Sequence, residues 1–300
     1  THGDGSIFSD TAGGGLNRQD ALGKVLRINP LQSAGSPYTT PNNPFVSDPN
    51  TLDEIYTLGH RNPHHISFAQ DSQGNSYAIV AEAGRDNIEE VNLLQPGGNY
   101  GWEDREGTFV HLNGGGYIDG VSALPANEWA LNDYIYPVAQ YDHDTTAGAG
   151  FVGSVIGGGF VIDNSVDPNL NGEYFFADFG SKSGHMYHAD FSEMLAAHTQ
   201  LADNELPSAL TQATIYRAML TLDADGDGVI DRTADNLNTL FDLSRNDVRF
   251  GMGPNGEMYI TSKGTGELYV VTNSLPVPEP GSLALIGLGG LMLCRRRQNV

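Results

Sequence analysis

Residues 77–102 read YAIVAEAGRDNIEEVNLLQPGGNYGW, and LGHRNPHHISF precedes them at 58–68. Two strand-like runs, 77–80 and 89–94, flank a loop holding Gly84, Arg85, Asp86 and Asn87. The layout recurs. Gly74-Asn75-Ser76-Tyr77 with Ala81-Glu82-Ala83-Gly84, Gly172-Glu173-Tyr174 with Ala177-Asp178-Phe179-Gly180, and Gly256-Glu257-Met258-Tyr259 with Ser262-Lys263-Gly264 each set an aromatic-bearing strand between two glycine turns. A second strand follows each, at 91–94, 185–189 and 267–271. The first glycines are spaced by roughly two units of the ~40–50 residues usual in propeller repeats. Such a unit buries its faces only against neighbours, so a β-propeller is one closure and a β-sandwich the other.

Composition agrees with a turn-rich β protein. The 300 residues hold 38 glycines and few helix-period runs, while 39% hydrophobic content against 17% charged is enough for a real core. A net charge of −22 argues against a nucleic-acid or anionic-membrane partner and is compatible with bound cations. The single cysteine, Cys294, excludes an intrachain disulfide and a cysteine-rich metal site.

In order, 1–20 is loop, 23–28 a short strand ended by Asn29-Pro30, and 31–50 a surface loop. Thr51 or Asp53 is placed to cap a helical turn over 53–58. Residues 103–131 read as mixed loop with the run Gly114-Gly115-Gly116. Strands follow at 136–141, 157–162 and 174–177, and the most helix-like segment is 192–198. Residues 199–247 read as a polar insertion, after which strands return at 248–252, 258–261 and 268–271.

Arg61 and Asn62 stand before Pro63, which biases Asn62 to an extended conformation. A planar fork donor beside an amide on a stiff loop suits an anionic, oxygen-rich ligand; the alternative is that Arg61 pins the loop to a carboxylate. His60, His64 and His65 have no Cys or acidic partner at fixed spacing and read as polar loop or core-satisfying side chains. His143, between Asp142 and Asp144, fits a metal site or a solvated acidic turn. Asp223, Asp225, Asp227 and Asp231 have the alternating spacing of the first half of an EF-hand loop, with Ala234 where the closing Glu would fall. That is a structural Ca2+ loop or a plain acidic turn.

LGHRNP and EEVNLLQPGGNYGW resemble the soluble quinoprotein sugar dehydrogenases, the glucose/sorbosone dehydrogenase family. The resemblance implies a six-bladed β-propeller over residues 1–273, with the Ca2+ loop inserted near 199–247. It implies pyrroloquinoline quinone (PQQ) with Ca2+ at one end of the channel, and hydride transfer from C1 of an aldose or related sugar. Arg61 and Asn62 stand where the family has cofactor ligands, and Arg249, in DVRFG, resembles a further cofactor arginine. Lys263 reads as a solvated turn lysine. Gly84 and Arg85 lie where backbone carbonyls reach the quinone-bound Ca2+; here Ala83 and Arg85 replace the family's glutamine and proline. Glu89 and Glu90 resemble an acidic pair at this loop, or serve as a salt-bridged blade edge. The family's general base is a histidine upstream of the part matching Thr1–Gly5, so these 300 residues are expected to be N-terminally truncated and not to turn over sugar by themselves. With no haem-attachment motif, the electron acceptor is expected to be separate. A non-catalytic propeller binding carbohydrate or protein is the alternative.

Residues 274–300 bring Pro278-Glu279-Pro280, an apolar run over 283–294, and Arg295, Arg296 and Arg297. A basic cluster after an apolar run marks the cytoplasmic side of a membrane segment, though the run is shorter than the ~20 residues of a spanning helix. The pattern resembles the PEP-CTERM sorting signal of exported Gram-negative proteins. It implies a C-terminal membrane-sorting helix, transient inner-membrane anchoring, processing by an exosortase, and a destination at the cell surface or in the extracellular matrix.

Overall fold

The computed structural model describes residues 15–31, 35–40, 42–112, 120–131, 133–143, 153–163, 168–179, 184–223, 229–244, 248–253, 257–271 and 274–276. Strands dominate. β1 (Val25–Leu26) pairs with β2 (Ile55–Thr57), and β3 (Pro63–Gln70), β4 (Ser76–Glu82) and β5 (Ile88–Leu93) follow. β6 (Arg105–Glu106), β7 (Phe109–His111) and β8 (Val121–Ala123) form a small sheet, and β9 (Ala139–Asp142) joins the edge of β5. Next come β10 (Ile156–Val161), β11 (Glu173–Asp178), β12 (Met186–Asp190), helix α1 (Phe191–Ala196), β13 (Tyr216–Leu222), β14 (Arg232–Ala234) and helix α2 (Leu237–Phe241). β15 (Val248–Met252), β16 (Met258–Ser262), β17 (Glu267–Val271) and β18 (Ser274–Pro276) complete the described elements.

The three repeats become three antiparallel meanders: β3-β4-β5 extended by β9, β10-β11-β12 extended by β13, and β15-β16-β17. β10 lies against β3 and β4 on one side and β15 on the other, so the middle sheet is covered on both faces. Side chains alternate across a strand. Tyr174 and Phe176 therefore pack with Ile79, Ala81 and Val91, while Phe175 and Ala177 pack with Val248, Met258 and Ile260. That is why Tyr174-Phe175-Phe176-Ala177 is apolar without interruption. Burying each phenylalanine contributes about 2–3 kcal/mol. β10 comes close enough to β11 that a Cβ on Gly159 would stand 1.8 Å from the Phe175 carbonyl oxygen.

Several expectations are corrected. The 53–58 stretch is not a helical turn. Ile55–Thr57 is β2, because Ile55 and Thr57 are buried on one face and β-branched. A turn does precede it, closed by Ile55 N–H donating to Leu52 O at 3.1 Å. Nor is 199–247 wholly a polar insertion. Ala218, Leu220 and Leu222 alternate along β13 and join Ala234, Leu237, Leu240 and Phe241 in the core. The strand over 23–28 shortens to Val25–Leu26, and that over 136–141 begins at Ala139. β6, β7 and β8 arise within 103–131, where mixed loop was expected. The helix over 192–198 starts at Phe191, capped by Asp190, whose carboxylate accepts from Glu193 N–H at 2.9 Å. Among the described residues no sheet closes on itself, and no helix is long and apolar enough to cross a membrane. Thr1–Gly5, Gly114–116, Asp144, Gly180, Gly256 and 277–300, with Pro278, Glu279 and Pro280, lie outside the described residues.

Candidate functional site

Arg61 and Asn62 mark the entry to β3. The backbone N–H of Arg61 donates to Glu82 Oε1, and its guanidinium Nη1 donates to the carbonyls of Ala83, at 3.1 Å, and Gly84, at 2.5 Å. Arg61 therefore pins the loop, as one alternative had it, but its guanidinium grips carbonyls rather than a carboxylate. The same guanidinium lies over the Trp102 ring, 5.8 Å from its centroid. The loop after Gly84 is shaped from the other side. Oε1 of Glu106, on β6, accepts the backbone N–H groups of Arg85 (2.8 Å), Asp86 (3.2 Å), Asn87 (3.0 Å) and Ile88 (3.0 Å).

Behind Arg61, Thr57 Oγ1 lies 2.9 Å from His60 Nε2, and His60 Nδ1 lies 2.6 Å from Glu82 Oε2. The order hydroxyl, imidazole, carboxylate is that of a nucleophile, base and orienting acid. Thr57 and His60 are both fully buried, and His60 stacks on Tyr100 at 4.6 Å. No substrate reaches them. The set serves as a polar core, the core-satisfying role expected of His60.

The reachable space lies at the other end of the Arg61-Asn62 pair. A cavity of ≈ 160 Å³ is lined by Asn62, His64, Val155, Gly157, Phe179 and Arg249. Three different sheets contribute: β3 and the residue before it, β10 with the turns beside it, and β15. The Arg249 guanidinium sits over the Phe179 ring at 5.4 Å and its Nη1 donates to Val248 O at 2.8 Å. Amide and guanidinium donors beside a flat aromatic wall fit the edge of a planar, anionic molecule.

One wall of that cavity hangs on two buried carboxylates. Asp178 Oδ2 accepts from Ser154 N–H (2.7 Å) and Val155 N–H (3.0 Å), and Glu89 Oε2 accepts from Ile156 N–H (2.7 Å). Glu89 Oε1 also meets His143 Nε2 at 2.6 Å. His143 is thus neither a solvated turn residue nor part of a metal cluster among the described residues. Burial pushes Glu89 up to about 7. Burial lowers His143, but the Glu89 contact outweighs it, and the imidazole is raised. Both groups hold protons more tightly when folded, so their joint stabilisation is full at low pH and is lost as pH rises through about 7. In Glu89→Gln the penalty of ionising Glu89 is absent. Its unfolding free energy is expected to gain on wild type by about 2 kcal/mol between pH 5 and 8, measured by urea denaturation across pH. A constant difference across that range would contradict this.

Glu90 faces the opposite way. Its Oε1 accepts Gly107 N–H at 2.6 Å, and burial, with Glu82 beside it, pushes it well above the carboxylate range. Glu89 and Glu90 are buried loop anchors, and Glu89 pairs with His143. Of the expected Ca2+ ligands, the Gly84 carbonyl is engaged by Arg61, and Arg85 turns its Nε towards Asp86 Oδ2 at 3.6 Å. Asp223 is half-buried at the end of β13, and Asp231 donates its N–H to Leu222 O at 2.9 Å. Asp225 and Asp227 lie outside the described residues. Lys263 lines a separate, larger hollow with Arg249. Sequence reading missed Phe179, Glu82, Glu106 and the role of His64. Only the first carried a signal, as the aromatic of the second repeat's closing turn.

Comparison with known proteins agrees with the resemblance read from LGHRNP and EEVNLLQPGGNYGW. Residues 2–121 match the family "Glucose / Sorbosone dehydrogenase", and residues 276–298 match the "PEP-CTERM protein-sorting motif". The chain is 35% identical over 187 residues to the HIPL2 protein of Arabidopsis thaliana, covering 59% of this chain and 25% of that protein. It is 34% identical over 128 residues to quinoprotein glucose dehydrogenase B of Acinetobacter calcoaceticus, covering 42% and 23% respectively. The match thus spans about a quarter of the length of these curated relatives. Among solved structures, the soluble aldose sugar dehydrogenase from Escherichia coli in the apo-form is similar with a TM-score of 0.49 at 18% identity, covering 88% of this chain and 57% of that one.

Proposed function

We propose that this chain, similar to glucose/sorbosone dehydrogenases over residues 2–121 and ending in a sorting motif, is part of an exported, PQQ-dependent sugar dehydrogenase. Its three meanders would be blades of a six-bladed propeller, and an aldose or related sugar would be oxidised at C1. One observation carries the reading: Asn62 and Arg249, singled out far apart in the sequence, line one cavity. When bound, the quinone supplies the hydride acceptor. The chain's own residues bind and orient it. The Arg249 guanidinium and Asn62 amide offer donors to carboxylate or carbonyl oxygens, and Phe179, Val155 and Gly157 give an apolar wall that limits water. The donor set fits one edge of such a molecule.

The Ca2+ proposed at Gly84 and Arg85 fits less well. A cation on the Gly84 carbonyl would meet the Arg61 guanidinium that already holds it. A separate structural Ca2+ is proposed for the loop Asp223, Asp225, Asp227 and Asp231. The tail would anchor the protein at the inner membrane until an exosortase acts near Pro278-Glu279-Pro280, releasing it to the cell surface, and electrons would pass to a separate acceptor.

A second reading is favoured by the same Arg61 contact: a propeller that has given up the cofactor cation and binds carbohydrate or protein. The test uses the complete gene product without its sorting tail, incubated with PQQ and Ca2+ and desalted. Retained quinone and dye reduction with aldoses are expected. No retained quinone and no turnover would leave the binding propeller.

A further inference from the structure

We propose that Glu106 is a positioning residue, which fills an anion nest made by the amides of residues 85–88 and thereby aims the Gly84 carbonyl at the Arg61 guanidinium. This rests on the reading of Asn62, the residue after Arg61, as a cofactor ligand. Glu106 is 1% exposed and comes from a neighbouring hairpin. Four successive N–H groups converge on its Oε1, and Asn87 Nδ2 donates to its Oε2 at 2.9 Å. Successive backbone N–H groups closing on one point form an anion-binding concavity, and here the anion is built in. An ionised carboxylate suits it because it accepts at both oxygens and brings no donor.

The convergence demands a sharp turn, and Gly84 stands at its start. A Cβ there would lie 1.8 Å from the Ile88 carbonyl oxygen and 2.7 Å from Glu106 Oε1. With the Arg85 N–H turned to Glu106, the Gly84 carbonyl of the same peptide plane points the opposite way, to Arg61 Nη1, beside the Ala83 carbonyl that Nη1 also meets. The hairpin tip is itself clamped. Gly107 N–H donates to Glu90 Oε1 on β5, and Thr108 N–H donates to Gln140 Oε1 on β9 at 2.9 Å. Glu106 is therefore presented from a fixed base. Its neighbour shows the contrast: Arg105 makes a bidentate pair with Glu128 at 2.7 and 2.8 Å, a stability contact that touches nothing in the loop.

The test compares wild type, Glu106→Gln, Glu106→Ala and, as a buried-carboxylate control, Glu128→Gln, in the complete gene product without its tail. Amide hydrogen exchange reads the nest, side-chain NMR of Arg61 reads its guanidinium, and fluorescence titration with PQQ reads binding. In both Glu106 variants, amides 85–88 are expected to exchange about tenfold faster relative to β11 amides, and the Arg61 signal to shift. Half-saturation by PQQ is expected to rise about tenfold, with none of these changes in Glu128→Gln beyond its loss of global stability. Glu106→Gln removes the charge while keeping an acceptor, so it gives the answer even if Glu106→Ala does not fold. An unmoved Arg61 signal in Glu106→Gln overturns the proposal, as does unchanged PQQ binding in a Glu106 variant when wild type binds. If wild type holds no quinone while Arg61 shifts as expected, the quinone reading fails and the positioning role stands.

Discussion

Glu82→Leu is expected to lose about 3–5 kcal/mol of stability, a large share of the ~5–15 kcal/mol that holds a domain together. Glu82 is 3% exposed and serves three donors at once: His60 Nδ1 at 2.6 Å, the Arg61 backbone N–H, and Asn92 Nδ2 at 3.4 Å. Leucine fills the volume but leaves the His60 and Arg61 donors facing hydrocarbon, while Asn92 Nδ2 keeps Glu90 Oε2 at 3.0 Å, and each buried unsatisfied group costs about 1–3 kcal/mol. The imidazole then loses the acceptor that holds its proton on Nδ1 and turns Nε2 to Thr57 Oγ1. The check is the urea midpoint at constant m-value. A loss below about 1 kcal/mol would show that water replaces the carboxylate.

Arg249→Ala is expected to weaken quinone retention by about 30–150-fold, the worth of one charge-assisted hydrogen bond of about 2–3 kcal/mol. Stability should hardly change. Arg249 is exposed on β15, where its guanidinium donates to its own strand's Val248 carbonyl and lies over the Phe179 ring. Equilibrium titration with PQQ beside a thermal melt separates the two quantities. Equal binding by both proteins would remove Arg249 from the site. A parallel fall in melting temperature would assign it to folding.

Much of this was legible in the sequence because it is local. The aromatic strand between two glycine turns, repeated three times, becomes three meanders, since two-residue alternation and turn chemistry act within a few residues. The pair Arg61-Asn62 and the loop from Gly84 were marked by glycine, proline and a planar cation, whose constraints travel with the residue itself. β13 was misread although Ala218, Leu220 and Leu222 alternate, because the polar residues around it hid the pattern.

What tertiary structure alone decided is partnership. Nothing near Glu106 in sequence says that its carboxylate will collect four amides from residues 85–88, or that Glu82 will sit between His60 and Arg61. Glu89 and Glu90 looked like an acidic edge, yet burial and the strand's alternation send one to His143 and the other to the Gly107 amide. The sequence determined which groups the chain carries and how its strands alternate. Packing determined which buried donor meets which buried acceptor, because a polar group cut off from water must take the partner that the neighbouring sheet supplies.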